Sequence, residues 1–181
     1  MSKATQRVDP RPRHRPEPLL FLDMESPIGR LRLIASGEFL VAIWFEHGRD
    51  AAKNDETLVE GVSPVLERAR AQLQEYFRAE RRDFDLPLAP RGTEFQQRVW
   101  QRLRRIQYGT TTTYGALAAE LGNTNASRAV GLANGSNPLP IVIPCHRVIG
   151  ANGALTGFGG GLPIKSALLE LERQRSQPTL F

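Results

Sequence analysis

The chain has 181 residues, 40% apolar and 24% charged, with a formal net charge of +5. At about 100–200 residues per domain this makes one domain or two small ones; no apolar run approaches the roughly 18–20 residues of a membrane helix, and the first 18 residues hold no apolar stretch of a secretory signal. A single cysteine, Cys145, excludes an internal disulfide and a cysteine-held zinc, the three histidines show no metal-ligand spacing, and a lone thiol fits a reducing, cytoplasmic setting.

Residues 1–18 read as a disordered tail, with Pro10, Pro12, Pro16 and Pro18 interleaved with Arg11, Arg13 and Arg15. The tail carries +3, residues 19–90 carry −4 and residues 91–181 carry +6. A basic half marks where a phosphate-rich partner would bind, although a basic face can also be merely solvated.

Residues 19–88 are expected to form a small α/β domain. LLFLDM, IGRLRLIA and EFLVAIWF are short β-rich runs parted by Ser26-Pro27 and Ser36-Gly37, a β-meander with one polar face. Residues 46–62 are polar and read as a loop. Ser63 then caps a helix with Pro64 at its first position, and Leu66, Ala69, Leu73, Tyr76 and Phe77 make the stripe that covers the sheet. Residues 83–92, with two prolines and a glycine, read as a linker.

Residues 89–174 are expected to be mainly helical. Thr93 caps a helix with the core stripe Phe95, Val99, Leu103 and Ile106, and its other face carries Arg98, Arg102, Arg104 and Arg105. Thr113 caps YGALAAELG, which stops at Gly122; the turn GNTN leads to a second short helix, ASRAVGLAN. Two short helices joined by a tight turn fit a helix-turn-helix. GSNPLPIVIPCHRVIG reads as a buried loop or short strand, ANGALTGFGGG as a Gly-rich hairpin, and LPIKSALLELERQ as a final helix with the stripe Ile164, Leu168 and Leu171. Residues 175–181 form a second tail.

A buried cysteine is most often an inert core residue. Here prolines at 138, 140 and 144 fix the backbone around Cys145, glycines follow it, and His146 stands beside it as a base for a thiol whose ordinary pKa is about 8.5. The segment NPLPIVIPCHRVIG resembles the active-site signature of the O6-alkylguanine-DNA alkyltransferases. The likeness extends through FQQRVWQRLRRIQYGTTTTYGALAAELG, SRAVGLANGSNP and TGFGGGLPIKSALLELE, over residues 93–173. The first half fits the family's smaller, ribonuclease H-like domain more loosely, and the second its winged helix-turn-helix domain.

The resemblance implies direct reversal of damage. Double-stranded DNA is bound, a guanine alkylated at O6 is flipped out, and the alkyl group moves irreversibly to Cys145; O4-alkylthymine is a further substrate. It implies no cofactor and no metal, and a monomer that can load cooperatively on DNA. By similarity His146 accepts the thiol proton through a water, Glu172 holds the imidazole (Glu170 is the spacing alternative), and Asn137 braces the loop. Tyr114 hydrogen-bonds the leaving guanine, Val148, Phe158, Gly159 and Gly160 line the substrate site, and Arg128 fills the stack. Ala126, Ser127, Ala129 and Gly131 let that helix approach DNA closely. Where the family often has an aromatic followed by Ser or Gly, Phe158 lacks the hydroxyl of the tyrosine in many relatives and Gly159 offers no serine hydroxyl, which bears on alkyl size. The competing reading is a non-catalytic winged-helix protein that recognises lesions, but relatives of that kind replace the cysteine. Gln177–Phe181, QPTLF, resembles a sliding-clamp docking peptide.

Overall fold

The computed structural model describes residues 18–48 and 57–176. The Pro/Arg-rich tail, but for Pro18, and the Gln177–Phe181 peptide lie outside the described residues.

Strands β1 (Leu19–Met24), β2 (Leu31–Ser36) and β3 (Phe39–Phe45) form the antiparallel meander. Leu22, Met24, Leu31, Leu33, Ile43 and Phe45 are buried, whereas Asp23 and Arg32, paired across the strands, meet in a two-point ion pair at 2.8 Å on the polar face. The stretch 46–62 is not all loop. Leu58–Glu60 forms β4, which runs parallel to β1 and gives the order β3-β2-β1-β4. Three residues are too few to show a period; it is β1's open edge that recruits them.

Helix α1 (Pro64–Phe77) is capped by Ser63 Oγ, which accepts from the Leu66 amide, and lays Val65, Leu66, Ala69, Leu73 and Tyr76 on the sheet. The linker is fastened rather than free. Gln72 exchanges two 2.9 Å hydrogen bonds with the Asp85 backbone, and Leu40 exchanges backbone bonds with Pro87 and Ala89. The β3 edge is thereby covered, and further along it the Ile43 amide donates to Pro138 O at 2.9 Å, in the second domain.

Helix α2 (Glu94–Leu103) opens with a full capping box between Thr93 and Gln96. It ends one turn earlier than its apolar stripe suggests, so Ile106 packs on the core from the segment after the helix. Trp100 donates from Nε1 to Ala133 O at 2.8 Å, and Gly92 sits so close to its ring that a Cβ would approach to 2.4 Å. After β5 (Thr112–Thr113), α3 (Tyr114–Glu120) starts on the Thr113 cap and stops at Gly122, whose φ of +85° turns the chain. A single tight turn, Thr124–Ala126, precedes α4 (Ser127–Gly135), so Ala126 lies just before the helix. Strand β6 (Val148–Ile149) pairs in parallel with β5. Residues 150–161 form turns and irregular backbone, not the expected hairpin. Helix α5 (Leu162–Ser176) runs into the stretch expected as tail. No helix among the described residues is long and apolar enough to cross a membrane.

Candidate active site

Cys145 is buried at 4% exposure behind Ile141, Val142 and Ile143, and it opens a one-turn helix, Cys145–Arg147, that delivers His146 and Arg147 inward. The backbone reaching it is strained. Ile141 has a φ of +74°, a region a β-branched residue seldom enters and which costs about 1–3 kcal/mol. Asn137 holds that geometry. Its Nδ2 donates to Ile143 O at 2.8 Å and its Oδ1 accepts from the Leu139 amide at 3.0 Å. From α4, Asn134 Nδ2 donates to Cys145 O at 3.3 Å, which ties the recognition hairpin to the cysteine's own peptide.

His146 is fully buried, and its Nε2 lies 2.8 Å from Glu172 Oε1. A carboxylate only accepts, so Nε2 carries the hydrogen and Nδ1 is left as the acceptor. Nδ1 makes no hydrogen bond among the described residues. Burial pushes the imidazole pKa down, against the upward pull of Glu172, so the ring is neutral near pH 7.

Glu172 is surrounded by donors. Oε1 takes the Tyr76 hydroxyl at 2.7 Å, His146 Nε2 and Arg147 Nη2 at 2.9 Å; Oε2 takes Arg147 Nε at 2.8 Å and the Gly109 amide at 3.1 Å. Burial alone would raise its pKa, but the hydrogen bonds and charges of His146 and Arg147 outweigh burial and hold the carboxyl well below the ordinary range. Glu170, by contrast, pairs with Arg173 and Gln174 at the surface.

Lys165 is buried within electrostatic reach of Cys145, and its Nζ donates to Val148 O at 2.6 Å and Thr156 O at 2.8 Å. Burial lowers its pKa, and a thiolate at Cys145 would raise it again. Tyr114, half-buried at the start of α3, accepts from Thr156 Oγ1 at 3.2 Å, and its ring lies against Gly131 of α4. Phe158, Gly159 and Gly160 are half-buried in the loop before α5. Arg128 and Ala129 are exposed in the first turn of α4, while Ala126 and Ser127 are half-buried beside them. Among the described residues no cluster of three or more His, Cys, Asp or Glu side chains is placed to hold a metal ion.

Two family models match the chain. The ribonuclease-like domain of 6-O-methylguanine DNA methyltransferase matches residues 22–90, and the DNA binding domain of the same family matches residues 94–174. The chain belongs to the 6-O-methylguanine DNA methyltransferase family. The methylated-DNA–protein-cysteine methyltransferase of Methanosarcina acetivorans is 51% identical over 148 residues, 82% of this chain and 94% of that protein. The enzyme of that name from Mycobacterium bovis is 47% identical over 158 residues, 87% of this chain and 94% of that one. The crystal structure of Mycobacterium tuberculosis OGT in complex with DNA is similar with a TM-score of 0.80 at 45% identity, covering 86% of this chain and 94% of that chain.

In this methyltransferase several site residues escape a reading of the sequence alone. Tyr76 reads there as a core residue of α1, yet its hydroxyl reaches into the site from the other domain. Arg147 enters there only as one charge of the basic half, yet it is the buried partner of Glu172 and also donates to Ile106 O at 2.6 Å. Lys165 and Asn134 enter there only as members of the quoted segments, with no role of their own. A position two residues after Cys145 is the one signal the sequence offers for Arg147. The α2 arginines are also partly spoken for: Arg102 pairs with Glu120 and Arg98 donates to Leu121 O, so both brace α3.

Proposed function

We propose that the protein repairs duplex DNA by moving the alkyl group of O6-alkylguanine, and of O4-alkylthymine, to Cys145 after flipping the base out. The observation that carries this reading is a buried cysteine followed by a neutral, fully buried histidine with Nε2 anchored on Glu172 and Nδ1 free to accept. His146 takes the thiol proton through a water, and its cation is stabilised by Glu172. Lys165 adds positive charge beside the thiolate. The sulfur attacks the alkyl carbon, the S–C bond forms as the C–O bond breaks, and the electron pair leaves on the guanine oxygen. Tyr114 hydrogen-bonds that developing anion. The thioether has no route back to thiol here, so each molecule reacts once.

An alkyl group inside the base stack cannot be reached by a buried thiol, so extrusion is required, at a cost of a few kcal/mol. Arg128, exposed at the tip of α4 and flanked by small residues, enters the stack and occupies the space left.

Incubation with one equivalent of duplex carrying O6-methylguanine should add one methyl to the intact mass, located on Cys145, and activity should then cease. Cys145→Ala should gain no mass yet bind the duplex. Binding without mass gain by the natural chain would favour the non-catalytic lesion-binding reading. Removing residues 177–181 and measuring binding to the sliding clamp tests the docking peptide; equal binding would dismiss it.

A further inference from the structure

The loop that carries Phe158, Gly159 and Gly160 is not held by a strand ladder, because residues 150–161 contain none. One end is tied where Lys165 and Tyr114 hydrogen-bond Thr156. The other end rests on the first domain. Phe45, the last residue of β3 and 4% exposed, meets the Phe158 ring with centroids 5.5 Å apart and planes inclined by 55°. The Gly160 backbone lies against the Phe45 ring, where an added Cβ would come within 2.9–3.0 Å of three ring carbons. Gly48, in the turn after β3, backs onto Gly159, and a Cβ there would meet the Gly159 carbonyl at 2.8 Å. Three consecutive loop residues therefore seat on the four-residue stretch Phe45–Gly48, at distances that exclude even one further carbon at either glycine.

We infer that Phe45 is a specificity-determining residue: by backing Phe158 it sets how far that wall stands from Cys145, and so the largest alkyl group the site accepts. The inference rests on the alkyl-transfer reading above. The wall is an aromatic ring in a loop without its own ladder, so its tilt is set by what lies behind it. The ring behind it is itself buried in the sheet core and does not yield. A smaller side chain at position 45 leaves space into which Phe158 leans, and the site widens.

The test compares single-turnover transfer from O6-methylguanine and O6-benzylguanine in the same duplex, so that binding and base flipping are shared. Phe45→Leu should raise the benzyl-to-methyl rate ratio roughly tenfold, the scale of discrimination by one or two carbons in an apolar pocket. Leu33→Val, a loss of one carbon from β2 in the same core, should leave the ratio unchanged. Gly48→Ala, whose Cβ presses on both the Gly159 carbonyl and the Phe45 side chain, should change the ratio as well. If Phe45→Leu does not fold, Phe45→Met, of similar volume but with a flexible unbranched side chain that fits irregular gaps, decides. Equal slowing of both substrates by the Phe45 variants, with the ratio held, overturns the inference while the transfer reading stands. Failure of the natural chain to take up methyl overturns both.

Discussion

From Asn137 to Val148 every residue except Pro138 is buried, whereas on α4 the residues Arg128, Ala129 and Leu132 face outward. The first stretch is over-determined. Asn137 brackets it, Asn134 and Ile43 fasten it from two other elements, and it holds Ile141 in a strained conformation. The second carries Arg128 with no ion pair among the described residues and keeps its neighbours small. A group that must meet a carbon in line is fixed in advance; a surface that must accept a partner's backbone is left bare. The difference also corrects the charge map. Of the ten cations in the second half, Arg147 is bound up with Glu172 and Lys165 is enclosed, so neither meets phosphate.

The largest effect is expected from breaking the buried side of that comparison. Arg147→Leu leaves the Glu172 carboxylate buried without its counter-charge, and loss of one partner of a buried pair costs about 3–5 kcal/mol. Since a domain holds only about 5–15 kcal/mol in all, the variant should unfold at markedly lower denaturant concentration. A loss below about 1 kcal/mol, the range of surface pairs, would show that Glu172 is satisfied by its other donors. The pH response follows the same groups. Glu172 and His146 both have folded pKa values below their unfolded ones, so each contributes stability above its unfolded value that is lost as pH falls. The His146 share should begin to fall below pH of about 6.5 and the Glu172 share below about 4.3.

Breaking the exposed side should change binding chemistry without unfolding. Arg128→Ala should slow repair of duplex DNA by roughly 10–100-fold, the scale of an extrusion cost of a few kcal/mol. The free alkylated base, which needs no extrusion, should react at an almost unchanged rate. Equal slowing of both would make Arg128 structural. Duplex affinity should fall with salt at a log–log slope of about −0.9 per phosphate contacted. Arg104 and Arg105, exposed beyond α2, are expected to steepen that slope, and Arg98 and Arg102, engaged within the protein, to leave it nearly unchanged.

What the sequence reveals follows from how local each cause is. Ser63, Thr93 and Thr113 stand before apolar stripes, and a cap acts over three residues, so the helix starts were legible. The Cys145–His146 pair and the spacing to Glu172 were legible as a family pattern. β4 was not, because a three-residue edge strand is specified by its neighbour. Nor was the burial of Arg147 and Lys165: a cation's place inside a protein depends on partners from distant segments, here Glu172, Val148 and Thr156. The absence of a hairpin at 150–161 has the same origin, since Gly159 and Gly160 pack closely against Gly48 and Phe45 from a distant segment.

The smallest effect, and the one that most sharpens the comparison, concerns the contact by which the first domain enters the catalytic network. Tyr76 donates to Glu172 Oε1, the same oxygen that His146 Nε2 addresses. Burial and the nearby carboxylate charge push the phenol pKa up, so it remains a donor at any working pH. A donor on Oε1 draws charge from the carboxylate and weakens its hold on the imidazole hydrogen. Tyr76→Phe removes that competition and leaves Oε1 with His146 and Arg147. The cost in stability should be about 1.5–3 kcal/mol, as for a hydrogen bond to a charged group. The imidazolium should become easier to form, because the carboxylate facing it is more basic. In the proposed mechanism transfer requires neutral His146, so its rate should fall as pH drops through the His146 pKa, which burial sets below the ordinary 6.5. In Tyr76→Phe that acid limb should move to higher pH, while the rate at pH 8 changes little. Single-turnover rates between pH 5 and 8 measure this directly. A stability loss with an unmoved acid limb would mean that Tyr76 only holds the two domains together; an acid limb displaced upward means that the first domain tunes the base that activates Cys145.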